Sequence, residues 1–251
     1  MKVSIITATY NSEKTIIDTL NCVSKQTYLN IEHLIIDGLS KDDTISIVNK
    51  YQHNKKIVIE KDKGIYDAMN KGIENSTGEI VGILNSDDFY SSHSVIQKIV
   101  DKFKETNCDA LYGDLMYVDE TDTNKIFRKW KSGSYKLNSF LYGWMPPHPT
   151  FFVRKDVYEK FGKFNLDLKS AADYEIMLRF LYKNKIKTSY LKEVLVHMRN
   201  GGQSNANLKN RIFANMEDRK AWTINGLKPY WFTLYLKPLR KVTQFFLNNF
   251  K

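Results

Sequence analysis

VSIITATYNSEKTIIDTLNCVSKQTYLNIEHLIIDG, residues 3–38, reads as strand, helix, strand. A β-branched run, Lys2–Thr7, leads into the polar cluster Thr7-Ala8-Thr9-Tyr10-Asn11. Apolar Ile16, Leu20 and Val23 then recur at helical spacing across Thr15–Lys25. A short buried strand, His33–Ile36, runs into Asp37-Gly38-Leu39-Ser40. The alternation continues outward from this unit. It predicts helices at about Asp42–Tyr51, Ile65–Asn75 and Ser94–Glu105, with strands at Lys56–Glu60, Glu79–Leu84 and from Ala110. Strands alternating with short helices imply an α/β fold, a doubly wound and mostly parallel Rossmann-like sheet with helices on both faces.

The second half is less regular. Leu115–Lys131 suits a hairpin, and Trp144–His148 is a loop broken by Pro146 and Pro147. Thr150–Arg154 suits a strand, Lys155–Phe161 and Ala172–Asn184 suit helices, and Lys187–Arg199 suits β structure. A helical pattern returns after Asn207. The reading is one domain over residues 1–205, with halves 1–112 and 113–205, and a C-terminal extension over 206–251. The extension carries Tyr230-Trp231-Phe232, Tyr235, Phe245, Phe246 and Phe250 among Lys228, Lys237, Arg240, Lys241 and Lys251. Aromatic and basic residues together favour an anionic membrane surface, and Pro238 should interrupt any long helix there. The alternative is a helix packed on the domain or on a second copy, as in a homodimer.

Composition removes several classes. With 251 residues and 42% hydrophobic content the chain builds a core without disulfides. Cys22 and Cys108 lie far apart with no C-x-x-C, so a zinc ribbon and a disulfide framework are excluded. They read as inert packing residues, suited to a reducing cytosol. No apolar run approaches a transmembrane length, and the N-terminus reads as a first strand, not a signal peptide. The net charge of +10 is uneven: residues 1–104 sum to −1 and residues 105–251 to +11. A basic half suits nucleic acid, an anionic membrane or phosphate-bearing substrates.

In open α/β sheets ligands bind at the carboxyl ends of the strands. Three polar clusters fall there: Thr7–Asn11, Asp37–Asp43 and Asn85-Ser86-Asp87-Asp88. Adjacent strand residues point to opposite faces, so Asp87 and Asp88 serve one ligand only from a turn. Two such acids repel unless a cation shares them. A divalent cation bridging to substrate phosphates would do so; an exposed turn with a helix cap is the plain structural alternative. The chain has no G-x-x-x-x-G-K-[ST], G-x-G-x-x-G, G-x-S-x-G or H-E-x-x-H.

VSIITATYN at 3–11, IIDGLSKDDT at 35–44, DKGIYDAMNKGI at 62–73 and LNSDD at 84–88 together resemble family 2 glycosyltransferases of the GT-A fold. The likeness is to bacterial enzymes that build O-antigen, capsule, colanic acid and related polysaccharides. HPTFFVRKDVYEKFGKFN at 148–165, SAADYEIMLR at 170–179 and RNGGQS at 199–204 continue it in order. The resemblance implies inverting transfer of a sugar from a nucleotide-sugar, most often a UDP-sugar, with Mn²⁺ or Mg²⁺. It implies that Thr9 and Asp37 meet the base, with Thr7, Asn11 and Ser40 in the same donor-binding set. Asp62, Lys63 and Gly64 then lie near the ribose and pyrophosphate. Asp88 is implied as metal ligand, with Asp87 nearer the ribose or donor sugar; Asn85 stands where many relatives carry an Asp. Asp173 matches the base position, and Glu175 is the alternative.

Lys63 or Arg199 would add positive charge at the phosphates, and a Gly201–Ser204 loop, with Gly202 and Ser204, would donate backbone N–H groups. His148 lies in a loop the family places near the acceptor, and Trp144 would stack on a sugar ring. The implied acceptor is a saccharide on a polyprenyl diphosphate lipid, at the inner, cytoplasmic face of the cell membrane. Two other readings compete. A nucleotidyltransferase would show a Gly- and Arg-rich loop after the first strand, and Thr7–Ser12 has neither residue. A nucleic-acid-binding protein would have no use for the acidic strand-end cluster, so no nucleic-acid partner is expected.

Overall fold

The alternating half of the chain folds as its pattern predicts. The computed structural model describes residues 1–201 and 208–246. In chain order β1 (Val3–Thr9), α1 (Ile16–Ser24), β2 (Ile31–Asp37), α2 (Thr44–Asn49), β3 (Lys55–Ile59), α3 (Ile65–Asn75) and β4 (Ile80–Ile83) alternate strictly. Their sheet order is β3-β2-β1-β4, all parallel. Every residue of β1, β2 and β4 is buried, as expected for strands covered on both faces.

The second half extends the same sheet with antiparallel partners. A two-residue strand, β5 (Phe89–Tyr90), follows the Asn85–Asp88 turn, and α4 (Val95–Thr106) leads to β6 (Ala110–Val118). β7 (Ile126–Trp130) closes the expected hairpin with β6. Two 3₁₀ turns, Ser139–Tyr142 and His148–Thr150, precede β8 (Phe152–Arg154) and α5 (Lys155–Phe161). α6 (Ala172–Met177) continues through a π-helical turn, Leu178–Lys183, to β9 (Thr188–Arg199). Among the described residues nine strands share one sheet, with β8 wedged antiparallel between β4 and β6.

That wedge depends on a glycine. A Cβ on Gly82 of β4 would lie 2.2 Å from Cε1 of buried Phe152 in β8. Gly82→Ala must displace the ring, and such overpacking costs about 1–3 kcal/mol. The expected result is a fall of roughly 2–10 °C in the unfolding midpoint, read by calorimetry.

The described part of the C-terminal extension is packed into the domain. α7 (Leu208–Ile224) and α8 (Thr233–Phe246) put Ala221, Trp222 and Leu234 into the same core as Tyr174 and Phe180 of the α6 segment. Trp222 Nε1 donates to the Tyr174 hydroxyl at 2.9 Å. Lys237 pairs with Asp218 at 2.7 Å and sits 3.9 Å above the Tyr174 ring. Gly143, at φ 71°, lets α8 approach, because a Cβ there would lie 2.5 Å from Lys237 N. Pro238 lies inside α8 and does not end it, contrary to the expected interruption. Among the described residues no helix is long and apolar enough to cross a membrane.

Candidate active site

β1 and β2 end side by side, with Thr9 opposite Asp37 in register. Asp37 is fully buried and held by its own turn, since Ser40 donates its backbone N–H to Oδ1 at 2.8 Å and its hydroxyl to Oδ2 at 2.5 Å. Asn11, in the left-handed region at φ 51°, stitches the two strand ends together. Its Oδ1 accepts from Lys41 N at 2.8 Å, and its own N–H donates to Ser40 Oγ at 2.9 Å. The Thr9 hydroxyl is buried with no hydrogen-bond partner among the described residues. Asp62 closes over this edge, and a Cβ on Gly38 would lie 2.4 Å from its Oδ2. Asp62 Oδ1 accepts from Gly64 N at 2.9 Å, and Gly64 takes φ 117°, which favours glycine. Lys63 between them is exposed.

The third cluster forms the turn that two cooperating carboxylates require. Asp88 N–H donates to Asn85 O at 3.1 Å, and Asn85 Nδ2 donates to Asp88 Oδ2 at 3.0 Å. Asn85 Oδ1 and Asp88 Oδ1 are left buried without partners among the described residues. Asp88 is 0% exposed. Burial first, and the Asp87 charge second, push its carboxyl well above the usual range. Burial also raises Asp87, with Arg199 opposing. Ser12 Oγ meets Ser86 Oγ at 2.9 Å, tying this turn to the first cluster.

A further carboxylate comes from the second half of the chain. Asp173, in the first turn of α6, accepts a hydrogen bond from the Tyr66 hydroxyl at 3.3 Å. Burial and the Asp173 charge raise the Tyr66 pKa, so the phenol stays protonated and donates. Tyr66 stacks on Phe164, and buried His148 packs edge-on against the same ring, with centroids 5.5 Å apart in each case. Burial lowers the His148 pKa although the Asp173 charge opposes this, so the imidazole is neutral at pH 7. Tyr117 on β6 feels both acidic groups. The charges of Asp88 and Asp173 both raise its pKa, after burial, and Arg128 lies 3.9 Å from its ring centroid.

The model of Glycosyl transferase family 2 matches residues 4–162. The chain belongs to that family. A PGL/p-HBAD biosynthesis glycosyltransferase of Mycobacterium bovis is 29% identical over 208 residues, covering 80% of this chain and 78% of the relative. An uncharacterized glycosyltransferase of Mycobacterium tuberculosis is 30% identical over 184 residues, covering 70% and 68%. S. aureus TarS 1–349 in complex with UDP-GlcNAc superimposes with a TM-score of 0.70 at 22% identity over 90% of this chain. The chain spans 65% of that TarS fragment. Mannosyltransferase PcManGT from Pyrobaculum calidifontis, in complex with GDP-Man and Mn²⁺, gives 0.67 at 18% identity over 94% of this chain and 68% of that one. These likenesses establish the GT-A fold.

In this family 2 glycosyltransferase several expected site residues are engaged by other groups of the chain. Trp144 is only 6% exposed; its Nε1 donates to Ser132 O at 2.8 Å, and Tyr112, Tyr135 and Phe140 surround it. It is a core residue and stacks on no sugar. Glu175 is 1% exposed and bound by Arg179 through both oxygens at 2.9 Å, with Asn225 Nδ2 also at 2.9 Å. A carboxylate so engaged is no alternative base. Thr7 is buried, bonded to His33 and to Leu84 O at 2.8 Å, so it joins strands and does not face a donor. Arg199 is buried against the Asp18 carboxylate and donates to Asp87 O at 2.5 Å. It clamps the acidic turn from within and is no free cation for phosphate. Gly202 and Ser204 lie outside the described residues. Burial raises Cys22 to about 12, which keeps it an inert thiol.

Sequence reasoning does not single out Tyr66 and Tyr117; each is an aromatic residue within a regular element and carries no spacing signal. Among the described residues no group of three or more His, Cys, Asp and Glu is gathered to hold an ion unaided. The unpartnered oxygens of Asp88 and Asn85 beside Asp87 are nonetheless hard donors. They fit a divalent cation whose shell is completed by substrate oxygens and water.

Proposed function

We infer that the chain transfers a sugar, with inversion, from a UDP-sugar to a hydroxyl of a saccharide acceptor carried on a polyprenyl diphosphate lipid. The setting is bacterial surface-polysaccharide synthesis at the inner face of the cell membrane. One observation carries the reading: the buried Asp87–Asp88 turn, with unpartnered oxygens on Asn85 and Asp88, and the Asp173 carboxylate both act electrostatically on one buried tyrosine, Tyr117. A family 2 enzyme needs both, one beside the departing diphosphate and one beside the incoming hydroxyl.

The residues divide the work. Thr9 offers an unpartnered hydroxyl to the base, and each Asp37 oxygen keeps a second lone pair for an imide N–H. Asp62, Lys63 and Gly64 border the ribose and diphosphate. Asp88 and Asp87 would hold a divalent cation, Mn²⁺ or Mg²⁺, which supplies positive charge at the diphosphate when bound. Tyr66 fixes Asp173 through Oδ1, leaving Oδ2 to take the acceptor proton. The acceptor oxygen bonds to the anomeric carbon as the bond to the diphosphate breaks, and the leaving group keeps the electron pair. His148, neutral and fixed against Phe164, borders the acceptor side.

The extension supports a membrane setting. Trp231 is 81% exposed, with Tyr230, Tyr235 and Leu239 exposed near it. Lys237 is bound to Asp218 and does not join this basic surface. The side chains of Lys241, Phe245, Phe246, Phe250 and Lys251 lie outside the described residues.

The test supplies UDP-glucose, UDP-galactose, UDP-N-acetylglucosamine or GDP-mannose with polyprenyl-diphosphate-linked saccharides in vesicles containing anionic lipid. The expected result is vesicle-bound protein and a product of inverted anomeric configuration by NMR. A retained configuration would overturn the mechanism, and transfer from GDP-mannose alone would overturn the uridine assignment.

A further inference from the structure

The helix that carries Asp173 has a weak beginning. α6 is six residues long, and its N-cap position is Ala171, whose methyl caps nothing. The free N–H groups just before it are met from the C-terminal extension. Glu217 on α7 is 6% exposed. Its Oε1 accepts from Lys169 N at 2.8 Å, and its Oε2 accepts from Ser170 N at 2.6 Å and Ser170 Oγ at 2.8 Å. One turn further along α7, Lys220 Nζ donates to Asp167 O at 3.0 Å. The Glu217 charge also reaches Tyr66, the residue that donates to Asp173.

We propose that Glu217 is a positioning residue for the transfer reaction, holding the Lys169–Ser170 turn so that Asp173 meets the acceptor hydroxyl. The extension is then a working part of the acceptor half and not only an appended surface. This rests on the reading of Asp173 as the base. The geometry is specific to a carboxylate. Gln in the same place keeps one acceptor oxygen and turns an NH₂ group toward an N–H donor, so at least one of the three bonds becomes a clash. Misplacement by about 1 Å of a group aimed at a reacting atom costs on the order of 100-fold in rate.

The experiment compares Glu217→Gln and Ser170→Ala with the unaltered chain and with two controls, Asp173→Asn and Gln26→Ala. Gln26 is buried just after α1, donates to Cys22 O and Ser92 O, and accepts from Ile96 N, three hydrogen bonds of similar kind with none to the α6 turn. Rates are UDP release from the three UDP-sugars above with a lipid-linked saccharide, well below every midpoint. Expected is a 10- to 100-fold fall in kcat, as an order of magnitude, for Glu217→Gln, with donor KM and UDP binding unchanged to within about twofold. Ser170→Ala, losing one contact, should lose roughly threefold in kcat alone. Gln26→Ala should lower the midpoint and leave kcat unchanged. Unchanged kcat in both α6-turn variants overturns the proposal, as does a parallel loss of donor binding and kcat that tracks the midpoint. Absence of transfer by the unaltered chain, or full activity of Asp173→Asn, overturns the base reading and this inference with it.

Discussion

Asp173→Asn is expected to bind UDP normally and to lose transfer by about 10²–10⁴-fold, roughly 3–5 kcal/mol of barrier. Asn is isosteric and still offers Oδ1 to the Tyr66 hydroxyl, so the bond seen at 3.3 Å survives. What disappears is the capacity to take a proton. Glu175, the alternative the sequence offers, is not ready to replace it, because it is held by Arg179 and Asn225. Initial rates with saturating donor, beside calorimetric titration of UDP, separate the two effects. Near-normal turnover would place the base elsewhere.

Asp88→Asn is expected to remove metal-dependent nucleotide binding while stabilising the metal-free fold. Asp88 is buried beside a second carboxylate, and both are pushed above the usual range, by burial before any other cause. Between the ordinary carboxylate range and those raised values the native state holds more protons than the unfolded chain. Stability of the metal-free protein therefore falls as pH rises through that window. Asn keeps an oxygen for Asn85 Nδ2 and carries no charge, so the variant should gain about 0.5–2 kcal/mol near neutrality and lose that slope. Unfolding midpoints from pH 4 to 8, with and without Mn²⁺ and UDP, check both halves. A variant that keeps the Mn²⁺-dependent rise would remove Asp88 from the site.

The parallel half was legible because its physics is local. Strands buried on both faces are rich in Val and Ile, and helices between them repeat apolar residues every third or fourth position. Ile65–Asn75 and Lys155–Phe161 match helices predicted to the residue. The antiparallel half was less so. β5 has two residues and no period to read. β8 pairs through Val153 with both Val81 and Ala110, a register no local pattern encodes.

At the candidate site the strand-end clusters were legible because turns there need Asp, Asn, Ser and Gly. Side-chain engagement was not. Trp144 looked available in a proline loop, and the two 3₁₀ turns fold it under Tyr135 and Phe140. Glu175 looked like a spare base, although Arg179 four residues on was a visible pairing signal. Glu217 meets Ser170 from 47 residues away, and nothing in its own neighbourhood announces it.

The central claim is that this sheet edge binds a uridine nucleotide with a divalent cation. Thermal unfolding of the full chain with UDP, GDP or CDP, each with and without Mn²⁺, tests it directly. A ligand at about 100 times its Kd adds roughly 2.7 kcal/mol, several degrees for a chain of this size. The account predicts a rise with UDP that requires Mn²⁺ and is absent in Asp88→Asn. A midpoint unmoved by UDP and Mn²⁺ together, or moved equally in Asp88→Asn, would contradict it.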